Sequence, residues 1–279
     1  MSNVLVLGGN GYLGSKIINS LLQKDTVFCT IKKGESLNLL IERDNVFTIS
    51  DNLEEIKNVI LQKNISTIIN TVCCYEREGI ALSSVVSANL LFPLSIIPFA
   101  IECGIRKIIT IDTALPENVN LYSLSKKSVS KIGNYYCSKN KDIVFYNIIL
   151  ENFYGEDEPK NRFLHMMVNK LKKDEPLDLT TGLQRRDFIY VQDVLSAFEI
   201  LIKNDDFGYH DVSLGTEEGP TIREIIEYLK RIIHSNSVLN FGAIPSRENE
   251  PDCIADLNYL RKFGFEIKYP YKKGLKEII

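Results

Sequence analysis

Through residue 150 the chain alternates short apolar runs with segments whose apolar residues recur every three to four positions. The runs VLVLG (4–8), VFCTIKK (27–33), VFTIS (46–50), STIINTV (66–72), KIITID (107–112) and IVFYNIIL (143–150) are rich in β-branched residues. Their length and composition predict strands. Helical periodicity occupies 12–23, 53–63, 80–103 and 121–138 between most of them. Strands joined by helical crossovers predict an α/β fold with a doubly wound parallel sheet of Rossmann type, covered on both faces. A ligand of such a sheet belongs at the carboxyl ends of its strands. After residue 150 the pattern loosens. The loop ENFYGEDEPKNR leads into a helix, a turn TTGLQRRDF, a helix over 191–203, a short strand DVSLG and a helix over 221–234. The chain therefore divides into 1–150 and a smaller mixed part, 151–279, partly interleaved with the first.

Composition narrows the class. A hydrophobic fraction of 44% and a charged fraction of 25% in 279 residues suit a globular enzyme. The net charge of -3 offers no electrostatic case for nucleic acid or an anionic membrane. The stretch LLFPLSIIPFA, interrupted by Pro93 and Pro98, reads as too short to span a bilayer. The N-terminus runs directly into an apolar strand, so no signal peptide is expected. The six cysteines form no C-x-x-C pair and read mostly as reduced core residues of a cytoplasmic protein. The three histidines lack metal-ligand spacing, and no metal is expected.

Chemistry enters with VLVLGGNGYLGSK, where Gly8, Gly11 and Gly14, with Tyr12 and Leu13 between them, separate a buried strand from an amphipathic helix. This spacing predicts a tight turn, close backbone approach to a pyrophosphate and close packing of helix on strand. An NAD site commonly has an acid at the end of the second strand. Here Lys32 and Lys33 stand there, which favours the 2′-phosphate of NADP(H), with NAD(H) remaining open. Asp51, just after the third strand, is placed to reach the adenine amino group, or else to cap the helix from Leu53.

The stretch IDTALPENVNLYSLSKK places Thr113 just beyond the fifth strand, with Tyr122 and Lys126 one helical turn apart on one face. A free phenol is a poor acid or base near neutrality. An ammonium group and an oxidised nicotinamide beside it are expected to lower its pKa. With the glycine loop, Thr113 and Tyr122-x-x-x-Lys126 resemble the short-chain dehydrogenase/reductase superfamily. ENFYG (151–155) and RRDFIYVQDV (185–194) resemble its extended, nucleotide-sugar-modifying branch, the NAD-dependent epimerase/dehydratase family. The resemblance covers nearly the whole chain.

That resemblance implies a dinucleotide-binding first part and a nucleotide-sugar-binding second part. It makes Tyr122 the general acid/base, Lys126 its electrostatic partner and holder of the nicotinamide ribose, and Thr113 the hydroxyl on the substrate oxygen. It assigns Asn89 to the substrate side, Asn152 to the sugar diphosphate, and Arg186 and Arg247 to the nucleotide phosphates. It also implies a homodimer through the helices carrying Asn89 and Tyr122. Two departures stand out. The segment between Thr113 and Tyr122 is short, and INTVCCY (69–75) replaces a common His-x-Ala-type sequence. Thr113 is followed by Ala114 and Leu115, which cannot shuttle protons, so 4,6-dehydration is set aside. The short segment is most like nucleotide-sugar 4-ketoreductases of deoxysugar biosynthesis, the group typified by CDP-abequose synthase. Reduction of a nucleoside-diphosphate 4-keto-6-deoxyhexose by NADPH is the expected activity. NAD-dependent 4-epimerisation is the alternative, and a non-catalytic dinucleotide-binding regulator a remote one.

Overall fold

The computed structural model describes residues 2–21, 25–32, 40, 43–246 and 251–279. The predicted runs become β1 (Asn3–Leu7), β2 (Thr26–Ile31), β3 (Val46–Ser50), β4 (Ile65–Asn70), β5 (Lys107–Thr113) and β6 (Val144–Leu150). Four short or late strands follow, β7 (Asn152–Tyr154), β8 (Leu177–Leu179), β9 (Phe188–Tyr190) and β10 (Gly208–Leu214), with β11 (Leu239–Phe241) last. One seven-stranded sheet runs in the order β10-β6-β5-β4-β1-β2-β3. Pairing is parallel from β3 through β2, β1 and β4 to β5. The doubly wound, Rossmann-type α/β fold is thus the one the apolar runs predict.

The helices are α1 (Tyr12–Leu21), α2 (Leu53–Gln62), α3 (the helical run Leu82–Glu102), α4 (Leu121–Lys139), α5 (Phe163–Lys172), α6 (Val191–Lys203), α7 (Ile222–Ile233), α8 (Asn258–Arg261) and α9 (Tyr271–Lys276). Two compact units result. The first holds Met1–Ile149 and Phe198–Val212, the second Leu150–Ala197 and Ser213–Ile279. Within the first unit, Leu5, Phe28, Ile56, Ile68, Ile96 and Ala100 pack on one side of the sheet. Ile97, Ile108, Val129, Cys137 and Phe145 form another apolar cluster. Gly133 lets α4 lie close to β6: a Cβ there would sit 2.4 Å from the Phe145 ring. In the second unit Leu171, Leu177, Tyr190, Ile225, Ile226 and Leu229 form the core.

Several expectations change. The stretch read as too short for a bilayer belongs to α3, which by length and composition alone is long and apolar enough to cross one. Its inward face carries Val85, Asn89, Pro93, Ile97 and Ala100, all buried. The run is no straight rod: Ser87–Leu91 is a π-helical turn, and Ser95 and Ile96 form a tight turn. Of the six cysteines, all free thiols, only Cys29, Cys137 and Cys253 are buried; Cys73 and Cys103 are exposed. Burial pushes the Cys29 and Cys137 thiols up to about 11, which keeps them inert. The pairs β7–β9 and β8–β11, both parallel, escaped the sequence because three residues are too few to show a period.

Candidate active site

The glycine loop leaves β1 at Gly8, whose φ of +83° is open to glycine and strained for other residues. Its N–H donates to Thr30 Oγ1 at 2.9 Å, and Gly9 N–H donates to the Thr30 carbonyl at 2.8 Å. A Cβ on Gly14 would lie 2.3 Å from the Gly8 carbonyl oxygen, so the third glycine permits α1 to start against the strand. The first turn of α1 carries no acidic side chain, which keeps the positive helix end available to an anion. Gly11 is exposed at that end, whereas Tyr12, Leu13 and Gly14 are buried. Side chains at 12 and 13 thus anchor the turn from within. These residues fit a dinucleotide pyrophosphate.

Beyond the loop, Lys32 is exposed at the end of β2, and Lys33 lies outside the described residues. The alternative role of Asp51 as a helix cap falls to its neighbour. Asn52 Oδ1 accepts from the N–H groups of Glu54 at 2.9 Å and Glu55 at 3.3 Å. Asp51 itself is exposed just past β3.

Thr113 closes β5 and is buried. Asn120 starts α4 with a reciprocal cap: its side chain accepts from Ser123 N–H at 2.8 Å, and Ser123 Oγ accepts from Asn120 N–H at 3.3 Å. This fixes the first turn, where Tyr122 stands, with buried Lys126 one turn further on. The Tyr122 hydroxyl makes side-chain hydrogen bonds with Thr113 and Cys73. The Tyr75 ring packs on Tyr122 with centroids 5.0 Å apart. Burial, then the Cys73 and Tyr75 side chains, hold the Tyr122 hydroxyl well above the usual phenol range, against the opposing pull of the Thr113 bond. Lys126 Nζ donates to the Val72 carbonyl at 2.8 Å.

Asn89 occupies the centre of the π-helical turn and is 1% exposed. Its Oδ1 accepts from Cys74 N–H and its Nδ2 donates to the Cys74 carbonyl, both at 2.8 Å. Its amide is committed to the loop after β4. Glu76 Oε2, from the same loop, accepts from Leu121 N–H at 2.8 Å. Sequence reasoning missed Cys73, Tyr75 and Glu76. Their place just past the carboxyl end of β4 was the available signal.

In the second unit Asn152 is exposed on β7, and its N–H donates to the Asp187 carbonyl at 3.2 Å. Arg186 is buried, and its Nη1 donates to the carbonyls of Arg185, at 2.8 Å, and of Pro251. It ties two backbone segments together. An open cleft of about 490 Å³ in this unit is lined by its neighbour Arg185, with Glu218, Thr221 and Tyr271. Arg247 lies outside the described residues. The RRDF motif also supplies Asp187, fully buried, whose carboxylate accepts from Thr216 N–H at 2.8 Å, Glu217 N–H at 2.8 Å and Ala255 N–H at 3.2 Å.

Comparison with known proteins adds to this geometry. The NAD dependent epimerase/dehydratase family matches residues 4–215. CDP-abequose synthase of Salmonella muenchen is 26% identical over 284 residues, covering 99% of this chain and 96% of its own length. CDP-abequose synthase of Salmonella typhimurium is 30% identical over 224 residues, covering 76% of this chain and 75% of its own. Among solved structures, UDP-glucose 4-epimerase of Thermotoga maritima with UDP-glucose superposes with a TM-score of 0.83 at 18% identity, covering 99% of this chain and 97% of that one. dTDP-glucose 4,6-dehydratase of Bacillus anthracis in complex with NAD superposes with a TM-score of 0.84 at 18% identity, covering 100% and 96%. At that identity the two structures establish the fold.

Proposed function

The chain belongs to the NAD dependent epimerase/dehydratase family, and from that premise we propose that it reduces the C4 ketone of a nucleoside-diphosphate 4-keto-6-deoxyhexose. The observation that carries this reading is the meeting of Thr113 at the end of β5 with Tyr122, a half-buried phenol whose pKa is pushed up, and with Lys126 one helical turn further on. Reduction of a ketone needs a proton donor at the developing alkoxide. The relatives named CDP-abequose synthase support the same chemistry. After Thr113, Ala114 and Leu115 offer no acid or base for a dehydration.

The cofactor is a nicotinamide dinucleotide, and Lys32 and Lys33 favour NADP(H) over NAD(H). When bound, it supplies the hydride for C4. Gly8, Gly11 and Gly14 admit the pyrophosphate to the end of α1. Thr113 Oγ orients the ketone oxygen, and Tyr122 Oη gives its proton to that oxygen as it gains charge. Lys126 holds the cofactor-side loop through Val72 and stands ready for the nicotinamide ribose. Asn152 and Arg247 are assigned to the sugar nucleotide. Arg186 is assigned to the nucleotide phosphates, its Nη1 meanwhile bonding the Arg185 and Pro251 carbonyls.

The protein acts in the cytoplasm, on a nucleotide sugar, in deoxysugar synthesis for cell-surface polysaccharide, with no nucleic-acid or membrane partner. A homodimer through α3 and α4 is supported by Leu82 and Leu91 on one and Leu124 and Tyr135 on the other, all large apolar side chains exposed on the first unit. The test is absorbance at 340 nm with NADPH or NADH and a panel of nucleotide-linked 4-keto-6-deoxyhexoses. Stoichiometric oxidation of NADPH is expected. No net oxidation, with NAD retained on the purified protein, would replace this reading with 4-epimerisation.

A further inference from the structure

Next to Lys126, the mechanism leaves a second lysine unused. Lys127 Nζ donates to the Thr113 carbonyl at 2.7 Å and pairs with Asp112 Oδ2 at 3.1 Å. The Asp112 side chain is 1% exposed, and its other oxygen accepts from Thr113 N–H at 2.7 Å. The backbone N–H and C=O of Thr113 are therefore both held by one ion pair. Asn147, also buried, steadies that pair by donating Nδ2 to Asp112 Oδ2 at 3.0 Å.

We propose that Lys127, through Asp112, is a positioning residue for the reaction: it locks the backbone of Thr113 to the helix that carries Tyr122. The argument is mechanical. Thr113 ends a strand and Tyr122 starts a helix, with the loop Ala114–Asn120 between them. That loop alone does not fix the separation of their hydroxyls. Lys127 is five residues past Tyr122 on the same helix, so its bonds to Thr113 and Asp112 bridge the two elements directly. A buried carboxylate with a cationic partner holds geometry well, because either group alone is costly to bury. Small displacements of a catalytic hydroxyl are expensive: a shift of about 1 Å can cost on the order of 100-fold in rate.

The proposal rests on the assignment of Thr113 and Tyr122 as catalytic, so wild type and Tyr122→Phe are assayed first on the sugar panel. Loss of turnover in Tyr122→Phe secures that assignment, and retained turnover defeats it independently of Lys127. The clamp is then tested with Lys127→Met, Lys127→Arg and a Thr113→Val background. Lys127→Met is expected to lower kcat roughly 10- to 100-fold while NADPH binding changes less than about twofold. Lys127→Arg, which keeps a cationic donor, should recover most of the loss. In the Thr113→Val background Lys127→Met should cost little more, because the hydroxyl it positions is gone. Should Lys127→Met fail to fold, Lys127→Met with Asp112→Asn removes the stranded charge and is read in the same way. An unchanged kcat, or the same fold loss with and without Thr113, would overturn the proposal.

Discussion

Asn89→Leu tests the loop after β4 as the support of the catalytic tyrosine. The replacement keeps the number and branching of side-chain non-hydrogen atoms, while removing both 2.8 Å hydrogen bonds to Cys74. Each such bond contributes about 1 kcal/mol net, and a polar group stranded away from water costs about 1–3 kcal/mol. Cys74 is half-buried, so water reaches part of its backbone, and the loss should lie near 1–3 kcal/mol in all. At about 2–4 °C per kcal/mol, the melting temperature should fall by several degrees. The same loop presents Cys73 and Tyr75 to Tyr122, so kcat should fall more than tenfold. KM for the sugar nucleotide should stay within about threefold, since uniform binding is untouched. Thermal melting by circular dichroism and initial rates at 340 nm measure the two effects. A variant as stable as wild type, with kcat intact and KM greatly raised, would show that Asn89 touches substrate and that the reasoning is wrong.

Three further outcomes are expected. Because burial raises the Tyr122 pKa, the acid form persists through neutral pH, so kcat for reduction should stay level from about pH 6 to 9 and decline only at higher pH; a decline centred near pH 7 would assign the proton to another group. Cys73 is exposed and touches Tyr122, so alkylation by iodoacetamide should abolish turnover, and Cys73→Ala should remain active and resist the reagent. Inactivation of Cys73→Ala at the wild-type rate would place the sensitive thiol elsewhere. Gly133→Ala gains about 1 kcal/mol of helix propensity but drives a methyl to within 2.4 Å of the fully buried Phe145 ring, at about 1–3 kcal/mol of overpacking. A rise in melting temperature would refute that balance.

What the sequence by itself determined is the parallel sheet, the glycine loop at the end of β1, and the placing of Thr113, Tyr122 and Lys126 at strand and helix ends. These follow from periodicity and spacing, which are local properties: an apolar run of five residues or a tyrosine four before a lysine carries its meaning within one element. Tertiary structure alone decided the partners of those residues. Lys126 bonds a carbonyl more than fifty positions earlier, Asn89 spends its amide on Cys74, and Arg186 turns to the Pro251 carbonyl. A side-chain donor takes whichever acceptor the fold brings within about 3 Å, and no spacing along the chain encodes that. The same holds for the phenol. Its surroundings come from distant parts of the chain: desolvation, with Cys73 and Tyr75 beside it, raises its pKa, because desolvation depends on the atoms packed around a group and not on those beside it in the chain.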